Sequence, residues 1–275
     1  MIAVADPVAP TAADQNQPRT IVELIQTVSA SRLSTWQRCR LQFYFRYVAG
    51  IQKAPTPARH IGTSVHTVLQ HWNLDRWHGR ELNVQTLKET FSQAWTIWQE
   101  GEQIDWEGKE EASKSATWNL IQVYLRDTPI APDEKPEAVE VGVEADLSVY
   151  GLPTLVGVID LVRSGGRIVD YKTMGQTPKD EKAIHNNEVQ LSIYSLLYRE
   201  STDRKENGRE LHQLIKLKVP KLIVTSQGPM TDSEQTRLFK QLESYVAGVE
   251  RQDFVPSPGM QCVMCSYFNE CRKWS

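Results

Sequence analysis

Asp160, Asp170 and Lys172 fall in one short stretch, GVIDLVRSGGRIVDYKT (157–173). Two strand-like runs, Leu155–Val162 and Arg167–Lys172, flank Gly165-Gly166, and the pair reads as a hairpin. Side chains alternate along a strand, so Asp170 and Lys172 face one way while Val169 and Tyr171 face the other. Asp160 lies toward the end of the preceding strand, where pairing could bring its carboxylate near Asp170. Two carboxylates beside a lysine form a hard-oxygen site for Mg²⁺ or Mn²⁺ with a cation over it. That chemistry suits hydrolysis of a phosphodiester. Taken alone, the same three charges also suit a solvated hairpin.

The chain has four cysteines: Cys39 far upstream, then Cys262, Cys265 and Cys271 as C-x2-C-x5-C. The Ala/Pro/Gln-rich first residues lack the apolar core of a signal peptide, so a cytoplasmic location is expected and disulfides are not. Clustered thiols in a reducing compartment are more often metal ligands, and four thiolates suit zinc or a 4Fe–4S cluster. A zinc ribbon usually brings two C-x2-C knuckles, whereas here the fourth ligand would be a lone cysteine on an N-terminal helix.

Five segments together resemble the RecB-type branch of the PD-(D/E)XK nucleases. The likeness is to its iron–sulfur members, such as the AddB nuclease domain and CRISPR-associated RecB-like exonucleases. They are SASRLSTWQRCRLQFYFRYV (29–48), HIGTSVHTVLQHW (60–72) with its G-T-x-x-H, the hairpin with GxxD and D-x-K, QLSIYSLLY (190–198) with Q-x-x-x-Y, and DFVPSPGMQCVMCSYFNEC (253–271). One departure is Arg40, where the family often has proline after its first cysteine. The resemblance implies a restriction-endonuclease-like α/β core, a mixed central sheet flanked by helices, with a cysteine-ligated cluster joining the N- and C-terminal segments. It implies that His66, Asp160, Asp170 and the carbonyl of Tyr171 ligate the divalent metal. Lys172, Gln190 and Tyr194 complete the catalytic set, and Cys39, Cys262, Cys265 and Cys271 hold the 4Fe–4S cluster. It points to Glu140 as the acidic residue of the first core strand, the alternative being a solvated strand face. The implied substrate is DNA, met as single strands or ends, in repair, recombination or mobile-element processing, with a helicase or similar protein as partner. A non-catalytic DNA-binding scaffold subunit is the other reading, which the intact Asp160, Asp170 and Lys172 disfavour.

The remaining sequence must position these residues. With 275 residues and 40% hydrophobic content, the chain can bury a substantial core. Net charge −3 gives no global basic field, so nucleic acid would meet local patches. No G-x4-G-K-[ST] loop and no membrane-length apolar run occur. Residues 1–28 are expected to form a disordered tail and 29–275 one nuclease domain, with cluster segments at 29–48 and 253–275. Ser34 is expected to cap a helix running through Cys39 to about Val48, followed by helices near 62–78, 84–100 and 108–127. Val139, Val141, Val143, Ala145 and Leu147 alternate with polar residues, which predicts a half-buried strand. A helix near 186–200 puts Gln190 and Tyr194 on one face. One or two strands follow over 214–226, with Pro220 at a break. Thr231 and Glu234 read as a capping box opening the last long helix, to Arg251. Trp95, Trp98 and Trp118 are read as packing residues. Trp36, Phe43, Tyr44 and Phe45, interleaved with Arg38, Arg40 and Arg46, are read as anchoring their helix over the cluster rather than as a strand-binding surface.

Overall fold

The computed structural model describes residues 17–97, 104–178 and 180–274. Its elements in chain order are α1 (Ile21–Gln26), β1 (Thr27–Val28), α2 (Ala30–Arg38), α3 (Arg40–Phe43), α4 (Pro57–His78), α5 (Val84–Ile97), α6 (Glu110–Asp127), β2 (Ala138–Ala145), β3 (Thr154–Arg163), β4 (Arg167–Met174), α7 (Asp180–Thr202), β5 (Arg209–Ile215), β6 (Lys221–Gln227), α8 (Asp232–Glu250) and α9 (Phe268–Lys273). Among the described residues, the six strands form one mixed sheet ordered β1-β3-β4-β5-β6, with β2 on the other edge of β3. One face packs on α4–α6 through residues such as Val65, Leu69, Trp72, Phe91, Trp95 and Tyr124. The opposite face packs on α2, α7 and α8 through Leu33, Trp36, Ile193, Leu197, Leu242 and Tyr245. This is the expected mixed α/β core, two helical layers over one sheet.

Several boundaries differ from the sequence-based expectations. Residues 17–28, placed in the tail by the sequence, are described and carry α1 and β1. Thr20 and Glu23 form a capping box on α1, Leu24 is fully buried, and Thr27–Val28 pair with Thr154–Leu155. Residues 1–16 of the expected tail lie outside the described residues. The cysteine-bearing helix is capped by Ser29, whose side chain accepts from the Arg32 amide, and not by Ser34. It stops at Cys39, whose backbone is extended, resumes as α3 and widens into a π-turn over Tyr44–Val48. Helix α5 is described to Ile97; the expected extension to residue 100, including Trp98, lies outside the described residues. Helix α7 and strand β5 each begin several residues earlier than expected. The 165–166 turn, the break at Pro220 and the Thr231–Glu234 capping box all form.

The topology of β3 opens the site. One edge of β3 pairs with β2 from Ala138↔Val162 to Ala145↔Leu155. The other edge pairs with β4 only at Leu161↔Val169, Val162↔Ile168 and Arg163↔Arg167. Beyond that β4 departs, and β1 takes its place on β3 at Thr154 and Leu155. A cleft therefore lies between the β1–α2 side and the β4–α7 side. Gly157 lets α7 settle onto this part of β3, since a β-carbon there would stand 2.8 Å from Leu197 Cδ1.

At the paired end, Glu210 locks three strands together. Its carboxylate accepts from Arg163 (2.9 Å) and Arg167 (3.1 Å) and lies 3.1 Å from His212 Nε2. Burial favours the neutral acid, but the hydrogen bonds from His212 and Arg163 outweigh it and hold the carboxyl at about 2. A depressed carboxylate contributes stability above its unfolded value of 4.5, and that contribution disappears as pH falls toward about 2. Glu210→Gln is expected to cost about 3 kcal/mol at neutral pH, as for breaking a buried ion pair. It should also remove this part of the acid sensitivity between those two pH values. Urea melts of parent and variant across that range check both; equal midpoints at neutral pH would contradict the bracing role.

Candidate active site

The parting of β3 from β4 leaves a backbone donor to satisfy. Tyr171 N–H, which would otherwise join the β3 ladder, donates to Asp160 Oδ2 at 2.9 Å. Its carbonyl faces the same edge of β4 and lies 3.1 Å from His66 Nε2 on α4. The Tyr171 ring anchors this segment from behind: its hydroxyl accepts from Asn73 Nδ2 (3.0 Å) and lies 3.5 Å from the Tyr124 hydroxyl, itself 3.0 Å from His212 Nδ1.

Glu140 joins the same cluster. The β2–β3 register holds on both sides, Val139↔Leu161 and Val141↔Ile159, which sets Glu140 opposite Asp160. Both strands change face there. Val139 and Leu161 pack on the α4 side, while Val141 and Ile159, two residues away, pack on the α7 side. Regular strands keep such residues on one face, and the left-handed Glu140 backbone (φ +45°) marks the irregularity. The expected uninterrupted alternation of β2 is therefore broken at its functional candidate. His66 Nδ1 lies 3.7 Å from Asp160 Oδ2 and 3.9 Å from Glu140 Oε1. Ligand atoms of His66, Glu140 and Asp160 all lie within 4.8 Å of one another. Burial opposes charge on His66, but Asp160 and Glu140 prevail and raise the imidazole to about 9.

Asp170 and Lys172 face α7, as alternation along β4 requires. Lys172 Nζ donates to Asp170 Oδ1 (2.9 Å) and to Gln190 Oε1 (2.9 Å). The Gln190 amide donates to Asp170 Oδ1 (2.8 Å) and to the Tyr194 hydroxyl (2.9 Å). Asp170 is fully buried, and burial raises its carboxyl to about 6 against the pull of Lys172. Its buried Oδ2 lies 2.8 Å from the same Lys172 ammonium, so both carboxylate oxygens are paired with it. Asp160 is likewise raised by burial, opposed by His66.

An imidazole, the carboxylates of Glu140, Asp160 and Asp170, and the Tyr171 carbonyl beside His66 make a donor set that fits a hard divalent ion. The structure brings together His66, Asp160 and the Tyr171 carbonyl of the expected metal set, and adds Glu140. Asp170 sits in the adjoining pair with Lys172. Sequence reasoning missed Asn73, Tyr124 and His212, which hold Tyr171. Asn73 lies two helical turns after His66, a spacing that could have indicated it.

The cysteines form a separate locus. All four line one pocket, with Phe45, Tyr267 and Phe268 on its walls. Leu41 N–H donates to Val255 O, Tyr267 hydroxyl to Ile51 O (3.1 Å), and Lys53 pairs with Glu270 (2.7 Å), so the N- and C-terminal segments meet here directly. Burial and then the other three thiols raise the Cys271 thiol. No three of these sulfurs come within 4.8 Å of one another. A tetrahedral zinc with bonds near 2.3 Å would set them about 3.8 Å apart. The aromatics between the arginines do anchor: Trp36 and Phe43 enter the α7-side core and Phe45 the cysteine pocket.

Compared with known families, residues 27–272 match the model of the PD-(D/E)XK nuclease superfamily. The chain belongs to that superfamily. Among solved structures, this member is similar to a "Putative exonuclease" from Eubacterium rectale, with TM-score 0.58 and 13% identity over 93% of this chain and 91% of that one. That likeness concerns the fold. A second structure, SSO0001, has TM-score 0.36 and 12% identity over 88% of this chain and 95% of that one, and carries no argument. No curated protein matches the chain. Among the described residues, no helix is long and apolar enough to cross a membrane.

The geometry predicts metal binding that needs no substrate. The parent should bind Mn²⁺ in a calorimetric titration, and His66→Ala and Glu140→Ala should each weaken it by about tenfold or more. Wild-type affinity in both variants would show that this cluster is not the metal site.

Proposed function

We propose that this chain is a Mg²⁺- or Mn²⁺-dependent deoxyribonuclease that hydrolyses phosphodiester bonds, acting as an exonuclease on single strands or strand ends. The observation that carries this reading is the juxtaposition of the His66–Glu140–Asp160 cluster and the Tyr171 carbonyl with Lys172 held between Asp170 and Gln190. His66, Glu140, Asp160, the Tyr171 carbonyl and Asp170 would hold the ion. When bound, such an ion supplies Lewis acidity to the scissile phosphate and acidifies an adjacent water. Lys172 orients the attacking water and neutralises charge growing on the phosphoryl oxygens. Gln190 fixes the ammonium, and Tyr194 fixes Gln190. Lys172→Ala should therefore lower kcat by about a hundredfold or more while Mn²⁺ affinity stays near that of the parent. The check is digestion of end-labelled single- and double-stranded DNA beside a Mn²⁺ titration; near-parent cleavage would remove Lys172 from the mechanism.

The same reading assigns Cys39, Cys262, Cys265 and Cys271 to a structural 4Fe–4S cluster of the iron–sulfur branch, with zinc the alternative. It is supported by the pocket the four cysteines share. Service in DNA repair, recombination or mobile-element processing, with a helicase or similar partner, completes the proposal. Cys39→Ser should lose iron and acid-labile sulfide together and melt at lower temperature. Zinc in place of iron in anaerobically purified parent, or full iron in the variant, would overturn the cluster assignment.

A further inference from the structure

Behind the site, two hydrogen-bonded routes leave Arg163 and meet again at the Tyr171 hydroxyl. On one route Arg163 donates to Glu210 (2.9 Å), whose carboxylate lies 3.1 Å from His212 Nε2. His212 Nδ1 lies 3.0 Å from the Tyr124 hydroxyl, which lies 3.5 Å from that of Tyr171. On the other route Arg163 donates to the Glu134 carboxylate (2.9 and 2.7 Å), and Arg76 donates to the Glu134 carbonyl and to Asn73 Oδ1 (2.7 Å). Asn73 Nδ2 then donates to the Tyr171 hydroxyl (3.0 Å). Asn73, Tyr124, Tyr171 and His212 are each at most 1% exposed, so water does not complete these bonds. Proton directions follow from the partners. A carboxylate only accepts, so His212 carries its proton on Nε2. Burial lowers the imidazole below its ordinary value and leaves Nδ1 to accept from Tyr124. The Tyr124 oxygen in turn accepts from Tyr171.

Resting on the reading of the Tyr171 carbonyl as a metal ligand, we infer that the Tyr171 hydroxyl is a positioning group for the metal site, held by Asn73 on one side and by Tyr124 and His212 on the other. Helix α4 meets Tyr171 at two points, His66 Nε2 at the carbonyl (3.1 Å) and Asn73 at the hydroxyl. Those two residues stand seven apart on one helix, about 10 Å along its axis. Holding both ends of Tyr171 against one helix sets the distance from its carbonyl to the imidazole. Tyr124 on α6 and His212 on β5 keep the ring from swinging away from Asn73. Packing alone has no use for the hydroxyl, since phenylalanine would fill the same space with fewer buried polar groups to satisfy. Removing it also strands no donor. Asn73 Nδ2 still donates to Leu69 O (2.7 Å), and Tyr124 keeps His212. A hydroxyl serving stability alone would therefore be nearly dispensable, whereas groups that hold a metal ligand from behind change metal affinity about ten- to a hundredfold when removed.

The test uses full-length Tyr171→Phe. Calorimetric titration should show Mn²⁺ bound about tenfold more weakly than by the parent, at a melting temperature near the parent's. Tyr124→Phe should weaken Mn²⁺ by a smaller factor. The double variant should bind no worse than Tyr171→Phe alone, because both substitutions remove the same contact. Parent-level affinity in Tyr171→Phe, or affinity lost only in step with melting temperature, would overturn the inference. A second readout needs no metal. The His66 imidazole nitrogen resonances, identified by their absence from His66→Ala, should shift in metal-free Tyr171→Phe as the contact between imidazole and carbonyl loosens. Unchanged resonances would equally overturn it. A parent that neither binds Mn²⁺ nor cleaves DNA would sink the nuclease reading instead, and the metal-free resonances would still decide whether the hydroxyl sets the carbonyl.

Discussion

Everything in the site depends on one buried amide. Where β4 leaves β3, the Tyr171 N–H loses its ladder partner, and a buried unpaired donor costs about as much as a lost hydrogen bond. Asp160 supplies the acceptor from its own side chain. That single contact bridges the parted strands, and on the same edge of β4 the Tyr171 carbonyl lies beside His66. It also leaves β3 an open edge on which β1 docks, so that α2 begins beside the cleft. The closed half of the pair is braced by Glu210, which confines the parting to the half that carries the chemistry.

The charge arrangement follows from this opening. Glu140, Asp160 and Asp170 crowd one partly buried region, and uncompensated carboxylates there would be costly. The protein answers with two cations from different layers: His66 from α4 below the sheet and Lys172 from β4 beneath α7. Their placement explains the directions of the shifts, imidazole upward beside two carboxylates and buried carboxyls upward despite the cations. The left-handed Glu140 is part of the same arrangement. A residue in that region costs on the order of 1–3 kcal/mol and persists where its surroundings demand it. Here it lets opposing strands change face together and send both acids to one side.

Much of this was legible from local patterns. Alternation alone separates Asp170 and Lys172 from Val169 and Tyr171, and an i, i+4 pair puts Gln190 and Tyr194 on one helix face. The Gly165-Gly166 turn and the Thr231–Glu234 box are likewise local chemistry. What resisted reading depends on non-local events. Glu140 sits in a stretch that alternates cleanly in sequence, yet its phase breaks because of what lies across from it. The interruption at Cys39 has no helix-breaking residue; an extended cysteine there turns its side chain toward segments more than two hundred residues away in sequence. The order of residues 21–28 reflects a two-residue strand that exists only because β4 has vacated an edge. His212 looked ordinary because Tyr124, which meets its Nδ1, comes from α6, 88 residues away in sequence.

The most direct test separates the two duties assigned to Asp160. Asparagine keeps an oxygen that can accept from the Tyr171 amide but removes the charge, whereas alanine removes both. Thermal melting and Mn²⁺ titration of Asp160→Asn and Asp160→Ala should therefore diverge. The account predicts a melting temperature near the parent's for asparagine, a clearly lower one for alanine, and Mn²⁺ binding lost in both. Equal melting of the two variants would contradict the bracing role of the carboxylate, and retained Mn²⁺ binding in asparagine would contradict its part in the metal site.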